Sequence, residues 1–182
     1  TSTGVRSDAQ ALTALAKQQG SLVIADTVTS LSGVELRIDD WGIDVAYSGS
    51  QKCLSCVPGL APITFSPAAI DKATQRKTPV QSWFCDTNLL ASYYTSGESK
   101  RAYHHTAPVN SLFAMREALR LVVEEGLEAR WQRHADASAH LYSRLEQADF
   151  CLTVDAAHRL APLTLVDIPD RCDDAQVRAR LL

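Results

Sequence analysis

The sequence predicts an α/β fold whose core is a mostly parallel sheet. Two short apolar runs, at residues 21–26 and 43–48, are the predicted strands, and a helix candidate precedes the first of them. Neither run alternates apolar with polar residues, which is typical of strands buried on both faces of a parallel sheet. The order helix, strand, crossover, strand indicates the same architecture.

The helix candidate carries a start signal and a stop signal. Ser7 followed by Gln10 matches a capping box, in which two side chains satisfy backbone N–H groups of the first turn. Apolar residues then recur at helical spacing, and Gly20 supplies a stop. A helix is therefore predicted between Ser7 and Gly20.

A third strand and a short helix are predicted next. Residues 61–65 form another apolar run. Ser66 is a candidate N-cap, and Pro67 stands at the first position of a helix predicted to reach about Thr74. Residues 75–107 have weak periodicity. A structureless stretch of that length is uncommon, so we expect it to be functional or to fold against something else.

The last third of the chain is predicted to contain two long helices, two strands and a terminal helix. Pro108 starts an amphipathic helix, and Gly126 separates it from a second helix that runs to about Glu146. The two strands and the start of the final helix are at 151–154, 163–166 and Asp173. Composition changes near Gly126, which predicts a domain boundary between residues 1–125 and 126–182.

Composition and charge exclude several classes of function. The 182 residues are 46% apolar and 21% charged, which is ordinary for a soluble globular protein. A net charge of −3 gives no electrostatic case for binding nucleic acid or an anionic membrane. No apolar run approaches the roughly 20 residues that span a bilayer, and no signal-peptide pattern opens the chain.

The cysteine and histidine patterns favour neither a disulfide framework nor a metal site. The cysteines are odd in number and irregularly spaced: Cys53, Cys56, Cys85, Cys151 and Cys172. Such a pattern favours reduced thiols in a cytoplasm-like compartment. The first two match C-x-x-C, but a redox or zinc motif would need partners, and no second pair exists. The adjacent His104 and His105 are expected to pack or to hydrogen-bond at an interface.

An acid and a lysine stand at the ends of the two predicted strands. Asp26 closes the first run, and Lys52 lies just past the second. Ligands of open α/β sheets bind beyond the carboxyl ends of the strands, so both side chains are predicted to face one crevice. A pyridoxal phosphate enzyme needs such a pair: the lysine holds the aldehyde as a Schiff base, and a buried acid pairs with the ring nitrogen. Displaced by the substrate amine, Lys52 would act as general base and acid.

Both residues also have a plainer interpretation. An aspartate after a strand is most often a turn residue or an N-cap, and a lone lysine there is usually solvated. Gly49 and Ser50 before the lysine, and the polar residues after the acid, favour a site. Spacing by itself leaves both interpretations open.

Four segments carry a family resemblance, and the most specific part is Ser48-Gly49-Ser50-Gln51-Lys52. The segments follow in order along nearly the whole chain, at residues 2–5, 23–33, 41–52 and 101–109. They resemble the class V aminotransferases, and within them the alanine–glyoxylate and serine–pyruvate aminotransferases. The resemblance implies fold type I of the pyridoxal-phosphate-dependent transferases. Residues 1–125 would then belong to the cofactor-binding large domain, and 126–182 would start a smaller α+β C-terminal domain.

The resemblance implies four cofactor contacts around the two strand ends. Lys52 would form the Schiff base with pyridoxal phosphate, and Asp26 would pair with the ring nitrogen. Val28 would pack on one ring face, which suits a stiff β-branched side chain. Gln51 would bind the phosphate, to which an amide can donate.

Three further contacts are implied by the resemblance. Tyr103 and Thr106 would bind the phosphate in the neighbouring subunit's site of a homodimer. Thr1 would hydrogen-bond the cofactor. The alternative for Tyr103 and Thr106 is a loop that caps the helix after Pro108.

Other parts that the resemblance implies are expected outside the chain. The glycine-containing phosphate loop and a ring-stacking aromatic residue would precede Thr1, and the arginine for the substrate carboxylate would follow Leu182. The chain starts without methionine and ends in an uncapped helix, so we expect a fragment that is inactive by itself. Four arginines within it are expected to be surface charges instead: Arg159, Arg171, Arg178 and Arg180.

The activity implied is transamination from alanine or serine to glyoxylate or pyruvate, in the cytoplasm or an organelle. Another class V enzyme that uses glyoxylate with serine or ureidoglycine as donor stays open. Cysteine desulfurases of this fold usually have a histidine before the lysine, where this chain has Gln51, so desulfuration is a weaker alternative. A non-enzymatic dimerisation or binding piece is the alternative from another class.

Overall fold

The central element is a three-stranded sheet. The computed structural model describes residues 2–95 and 103–181. The strands are β1 Ile24–Asp26, β2 Val45–Tyr47 and β3 Ile63–Phe65, and they lie side by side in that order. β1 and β2 are parallel, which confirms the predicted parallel pair. β3 joins the other side of β2 in the antiparallel direction.

The prediction that both of the first two strands are buried on both faces is wrong for β1. Ile24 is 68% exposed, whereas Ala46 in β2 is 3% exposed. β2 has a hydrogen-bonded neighbour on each side, while β1 and β3 are the outer strands of this sheet. An apolar run predicts a strand, but it does not show how many neighbours cover that strand.

Each of the predicted helices is present. The helices are α1 Ala9–Gln18, α2 Pro67–Thr74, α3 Thr87–Thr95, α4 Val109–Glu125, α5 Leu127–Gln147 and α6 Asp174–Leu181. Gly126, with a φ of 82°, separates α4 from α5 as predicted. The N-cap of α1 is Asp8 rather than Ser7, because the Asp8 carboxylate accepts the Ala11 N–H at 2.9 Å. In the described ranges, no helix has the length and apolar character of a membrane span.

The stretch at 75–107 contains more regular structure than its weak periodicity indicated. A 3₁₀ turn at Trp83–Cys85 is followed by α3. Asp86 accepts hydrogen bonds from the backbone N–H groups of Asn88 and Leu89, at 2.9 and 3.3 Å. The available signal was therefore the N-cap, since aspartate is among the favoured residues at that position.

The strands predicted at 151–154 and 163–166 are reduced to one antiparallel bridge, which joins Leu152 to Val166. The Thr153 N–H also donates to the Leu165 carbonyl at 3.2 Å. A two-stranded ribbon is marginal without further neighbours. A four-residue apolar run does not distinguish such a bridge from a longer ladder.

The start of the described chain pairs with this C-terminal part. The Leu160 N–H donates to the Gly4 carbonyl, and the Arg6 N–H donates to the His158 carbonyl, both at 2.8 Å. Gly4 has a φ of 69°, and a Cβ there would come within 2.9 Å of the Leu163 carbonyl oxygen. The turn and the close approach both require glycine. Segments on either side of residue 126 are therefore in direct contact.

A small apolar core joins α4 to the segment after β2. Leu54, Met115 and Val122 are buried against one another, and Leu31 packs at the edge of this cluster. Burying an aliphatic side chain of this size contributes about 1.5–3 kcal/mol. The core therefore holds the turn after β2 against α4.

A buried carboxylate connects α1, β1 and α2. Asp44 lies directly before β2 and is 3% exposed. It accepts hydrogen bonds from the Lys17 ammonium, from the Val23 N–H at 2.8 Å and from the Ser66 hydroxyl at 2.9 Å. Burial would raise the pKa of Asp44, but these donors outweigh it and hold the pKa below its ordinary 3.8. Ser66 also caps α2, as predicted, by accepting the Ala69 N–H.

Asp44→Asn is expected to destabilise the protein by about 2–4 kcal/mol, because it removes the charge on which three donors converge. The native pKa is lowered, so the carboxylate's contribution is complete well above pH 3.8 and is lost as the pH falls through the native value. Urea unfolding near neutral pH and in an acid series measures both effects. Asp39→Asn, at an exposed position, is the control. A parental free energy of unfolding at neutral pH, or a deficit that does not shrink in acid, would contradict this assignment.

Candidate active site

The carboxyl ends of β1 and β2 meet at one edge of the sheet. Asp26, the last residue of β1, is paired with Tyr47, the last residue of β2. Thr27 donates its backbone N–H at 3.0 Å and its hydroxyl at 2.7 Å to the Tyr47 carbonyl. The Ser48 hydroxyl donates to the Thr27 carbonyl at 3.1 Å. These bonds fix the two strand ends to each other, and the turn that carries Lys52 starts from this edge, as predicted.

Asp26 is exposed at the strand end, which corrects the expectation of a buried acid. The cause is the outer position of β1. Asp26 Oδ1 accepts the Val28 N–H at 3.0 Å, which forms an Asx turn and orients the carboxylate. Partial burial, together with a hydrogen bond to Asp26, raises the pKa of Tyr47. The Tyr47 hydroxyl is therefore the donor in its hydrogen bond with the Asp26 carboxylate.

Asp26 borders a cavity of about 530 Å³. The other walls come from the turn after β1, the start of α1 and the region of the 3₁₀ turn Ala156–His158. This volume is within the roughly 300–1,000 Å³ of small-molecule sites. Among the described residues, Lys52, Gln51 and Val28 are not part of these walls. The structure thus places Asp26 and Lys52 at one sheet edge without enclosing both in one pocket.

Ser50 fixes the turn that presents Lys52. Ser50 is completely buried. Its hydroxyl donates to the Val57 carbonyl at 2.6 Å, and its backbone N–H donates to the Leu60 carbonyl at 3.1 Å. The Lys52 carbonyl accepts the Ser55 N–H at 2.8 Å. The Lys52 side chain is exposed, so its amine is accessible to a ligand.

The other two implied contacts lie at the same edge. Gln51 is exposed and lies in the same turn as Lys52. A Cβ on Gly49 would come within 2.9 Å of Gln51 Oε1, so the absent side chain leaves room for this amide. Val28 is half-buried directly after the Asx turn of Asp26.

Tyr103 and Thr106 lie together and face outwards. Their hydroxyl oxygens are 2.6 Å apart, and Tyr103 is 72% exposed. Pro108, the N-cap residue of α4, makes no side-chain capping hydrogen bond. The two hydroxyls form an exposed pair, and both interpretations of Tyr103 and Thr106, a cofactor contact or a loop that caps α4, stay open.

His104 and His105 pack and hydrogen-bond, as expected. His104 is buried and stacks on Trp83, with ring centroids 4.0 Å apart. Its Nε2 is 3.0 Å from the Trp83 carbonyl oxygen, and its Nδ1 is 2.7 Å from His105 Nδ1. The pair thus anchors the segment that carries Tyr103 to the 3₁₀ turn before α3. Thr1, for which a cofactor contact was implied, lies outside the described residues.

Three hydroxyl residues shape the site without having been assigned a role from the sequence. Thr27, Ser48 and Ser50 are all buried, and each donates to a backbone carbonyl. The available signal was their position: small hydroxyl residues directly after apolar strands are able to bond to neighbouring backbone.

Arg159 is not the simple surface charge that was expected. Its Nε donates to the Val154 carbonyl at 2.9 Å, and its guanidinium lies 5.0 Å from the centroid of the Tyr142 ring. Arg178 pairs with Asp174 along α6 and is exposed, as predicted.

The chemistry of the predicted contact residues fits pyridoxal phosphate. Asp26 offers a carboxylate to a ring nitrogen, and Lys52 offers an accessible amine to an aldehyde. The Tyr103 and Thr106 hydroxyls are able to donate to phosphate oxygens. The cavity beside Asp26 has the size that a small ligand needs.

Known proteins are similar to this chain in sequence and in fold. Residues 1–181 match the family model described as aminotransferase class-V. An alanine–glyoxylate aminotransferase of Oryctolagus cuniculus is 44% identical over 169 residues, which are 92% of this chain and 43% of that protein. An (S)-ureidoglycine–glyoxylate transaminase of Bacillus subtilis (strain 168) is 34% identical over 200 residues, covering 100% of this chain and 47% of that protein. The crystal structure of an alanine–glyoxylate aminotransferase from Nostoc sp. superposes with a TM-score of 0.93 at 48% identity, over 100% of this chain and 47% of that one.

The chain spans about half the length of these relatives. The family model covers nearly all of it, and the superposition extends over its whole length. The chain therefore belongs to the aminotransferase class-V family and has the α/β architecture of the fold type I enzymes that depend on pyridoxal phosphate.

Proposed function

We propose that this chain supplies the Schiff-base lysine and the ring-nitrogen carboxylate of an aminotransferase. The amino group moves from alanine or serine to glyoxylate or pyruvate. The observation that carries the proposal is the parallel pairing of β1 and β2, which brings Asp26 and the Lys52 turn to one edge. The alanine–glyoxylate relatives support the choice of substrates.

Each residue has a distinct task in this proposal. Pyridoxal phosphate, when bound, supplies the electron sink. Asp26, an anion oriented by the Val28 N–H, keeps a proton on the ring nitrogen. Lys52 Nζ would hold the cofactor through its aldehyde. As a free amine, Lys52 would act as the general base that takes the proton from the substrate's α-carbon and as the general acid that passes it on during the amino transfer.

The proposed site is completed by a second copy of the chain. Tyr103 and Thr106 present their hydroxyls outwards, which supports phosphate binding across a homodimer interface. Gln51 binds the phosphate within its own subunit, Val28 covers one ring face, and Thr1 hydrogen-bonds the cofactor. The large domain comprises residues 1–125, and the small domain starts at Gly126, whose φ of 82° separates α4 from α5. The proposed location is the cytoplasm or an organelle.

Transfer from ureidoglycine to glyoxylate is a second candidate. The Bacillus subtilis transaminase with that name is similar along the whole chain. Alanine and ureidoglycine both carry an α-amino group next to a carboxylate, so the same lysine chemistry serves either donor. The donor is therefore selected by residues that contact the substrate's side chain.

A donor panel tests the proposed function. The intact protein, loaded with pyridoxal phosphate, is mixed in turn with alanine, serine, (S)-ureidoglycine and cysteine. Loss of the visible absorbance of the lysine-bound cofactor gives each rate. We expect alanine or serine to react at least about tenfold faster than cysteine, with glyoxylate or pyruvate restoring the band, which corresponds to about 1.4 kcal/mol of discrimination.

Three other outcomes are informative. A preference for ureidoglycine selects the second candidate. Sulfide release from cysteine would replace transamination with desulfuration. Absence of a visible band after loading would contradict the pyridoxal phosphate assignment.

A further inference from the structure

A buried arginine contacts the carbonyl of Cys53, the residue that follows Lys52. Arg130, in the first turns of α5, is 6% exposed, and its Nη2 donates to the Cys53 carbonyl at 2.6 Å. The Ser32 hydroxyl donates to the same carbonyl at 3.1 Å. Ser32 belongs to the turn after β1, so three separate segments meet at this one oxygen. The carbonyl is fixed from two sides, immediately beyond the lysine.

The second terminal nitrogen of the Arg130 guanidinium is held by Glu125. Arg130 Nη1 donates to Glu125 Oε2 at 2.6 Å, and Arg133 Nε donates to Glu125 Oε1 at 2.5 Å. The hydrogen bond from Arg133, reinforced by that from Arg130, lowers the pKa of Glu125 to about 2 against an opposing effect of burial. Glu125 is therefore an anion at any working pH, and it holds the arginine in one orientation.

The fork geometry of arginine is required for this arrangement. One terminal nitrogen points at the end of α4 and the other at the Cys53 carbonyl. A lysine has a single nitrogen and does not bridge both acceptors in the same way. Buried ion pairs often add little net stability compared with apolar packing. The apolar contacts of Leu54 with Met115 and Val122 already attach this turn to α4. The main effect of Arg130 is therefore to fix the orientation of the Cys53 carbonyl rather than to add stability.

We propose that Arg130 is a positioning residue for Lys52. It fixes the Cys53 carbonyl so that the lysine's backbone keeps one position relative to Asp26. The inference rests on the proposed function, since it requires Lys52 to be the cofactor's lysine. Arg130 touches neither substrate nor cofactor and acts through the turn alone.

Arg130→Met and Arg130→Lys in the intact protein test the proposal. Arg144→Met, at an exposed site on the same helix, is the matched control. The readouts are the pH midpoint of the visible absorbance of the lysine-bound cofactor, and kcat and KM for the best amino donor. We expect Arg130→Met to load cofactor, to shift the pH midpoint, and to lose about 10- to 100-fold in kcat, because small misplacements of a reacting group cost that much. KM should change little, Arg130→Lys should recover part of the loss, and Arg144→Met should match the parent.

Two results for Arg130→Met would overturn the proposal. A parental pH midpoint and kcat in Arg130→Met would refute the positioning role. A loss of kcat that is no larger than the loss of folded protein, measured by thermal unfolding, would refute it as well. If Arg130→Met does not fold, Arg130→Lys and Glu125→Gln decide, and parental values in both overturn the proposal. Lys52→Ala distinguishes failure of the proposed function from failure of this inference alone. Normal turnover by Lys52→Ala would refute both. If Lys52→Ala loses turnover while Arg130→Met keeps parental values, only the positioning role is refuted.

Discussion

Lys52→Ala in the intact protein is expected to abolish transamination while leaving weak, measurable binding of pyridoxal phosphate. According to the proposed function, the variant lacks both the covalent attachment of the cofactor and the group that moves the substrate's α-proton. Loss of the proton transfer alone corresponds to about 100- to 10,000-fold in rate. The contacts offered by Asp26 and Gln51 remain, so the cofactor still has partners. Single-turnover kinetics with alanine and glyoxylate measure the rate, and equilibrium dialysis measures the binding.

The control is Lys72→Ala, at an exposed position on α2. Borohydride treatment followed by peptide mass analysis gives an independent check. The parent should carry the reduced cofactor on the peptide that contains Lys52, and the variant should carry none. Cofactor attached at another lysine, or turnover by Lys52→Ala at a parental rate, would mean that this lysine has been assigned wrongly.

Asp26→Asn is expected to lower the rate by about three orders of magnitude without a matching loss of stability. An amide keeps the shape of the side chain and an acceptor for the Val28 N–H. It removes the charge that, according to the proposed function, holds a proton on the ring nitrogen. Each pKa unit lost at that nitrogen corresponds to about 1.4 kcal/mol. A loss of roughly three units therefore costs about 1,000-fold, if the chemistry depends fully on the protonated ring. Stopped-flow absorbance of the amino-donor half-reaction measures it.

Asp71→Asn, on the exposed surface of α2, is the matched control for this substitution. Thermal unfolding of both variants verifies that the fold is retained. Because Asp26 is exposed, exchanging carboxylate for amide should shift the melting temperature little. A rate within a few-fold of the parent would remove Asp26 from its role at the ring nitrogen.

Local signals were sufficient for the parts of the site that lie close together in the sequence. The apolar runs before Asp26 and Lys52 are strands, they pair in parallel, and their ends share one edge. Ser66 caps α2 as the Ser-Pro pattern indicated. Such signals work because caps and strand ends involve residues within a few positions of one another.

Contacts between distant segments left no such signal. Arg130 and the Cys53 carbonyl are 77 positions apart, and a bond from a side chain to a backbone oxygen places no demand on the identity of the residue that accepts it. The exposure of Asp26 depends on how many strands lie beside β1, which the run itself does not encode. Ser32, with a φ of 65°, adopts a left-handed turn that residue preference would have assigned to glycine or asparagine.

The hydrogen bond from Arg130 to the Cys53 carbonyl also limits when the turn after β2 can be completed during synthesis of the chain. The contacts between β1 and β2 join residues 21 positions apart, and they are available as soon as a short nascent segment has emerged. The bond from Arg130 closes a loop of 77 positions and requires α5 to have been synthesised first. The pairing of β1 with β2 needs no residue beyond β2, whereas the Cys53 carbonyl gains its bond from Arg130 only after α5 has been synthesised and has docked.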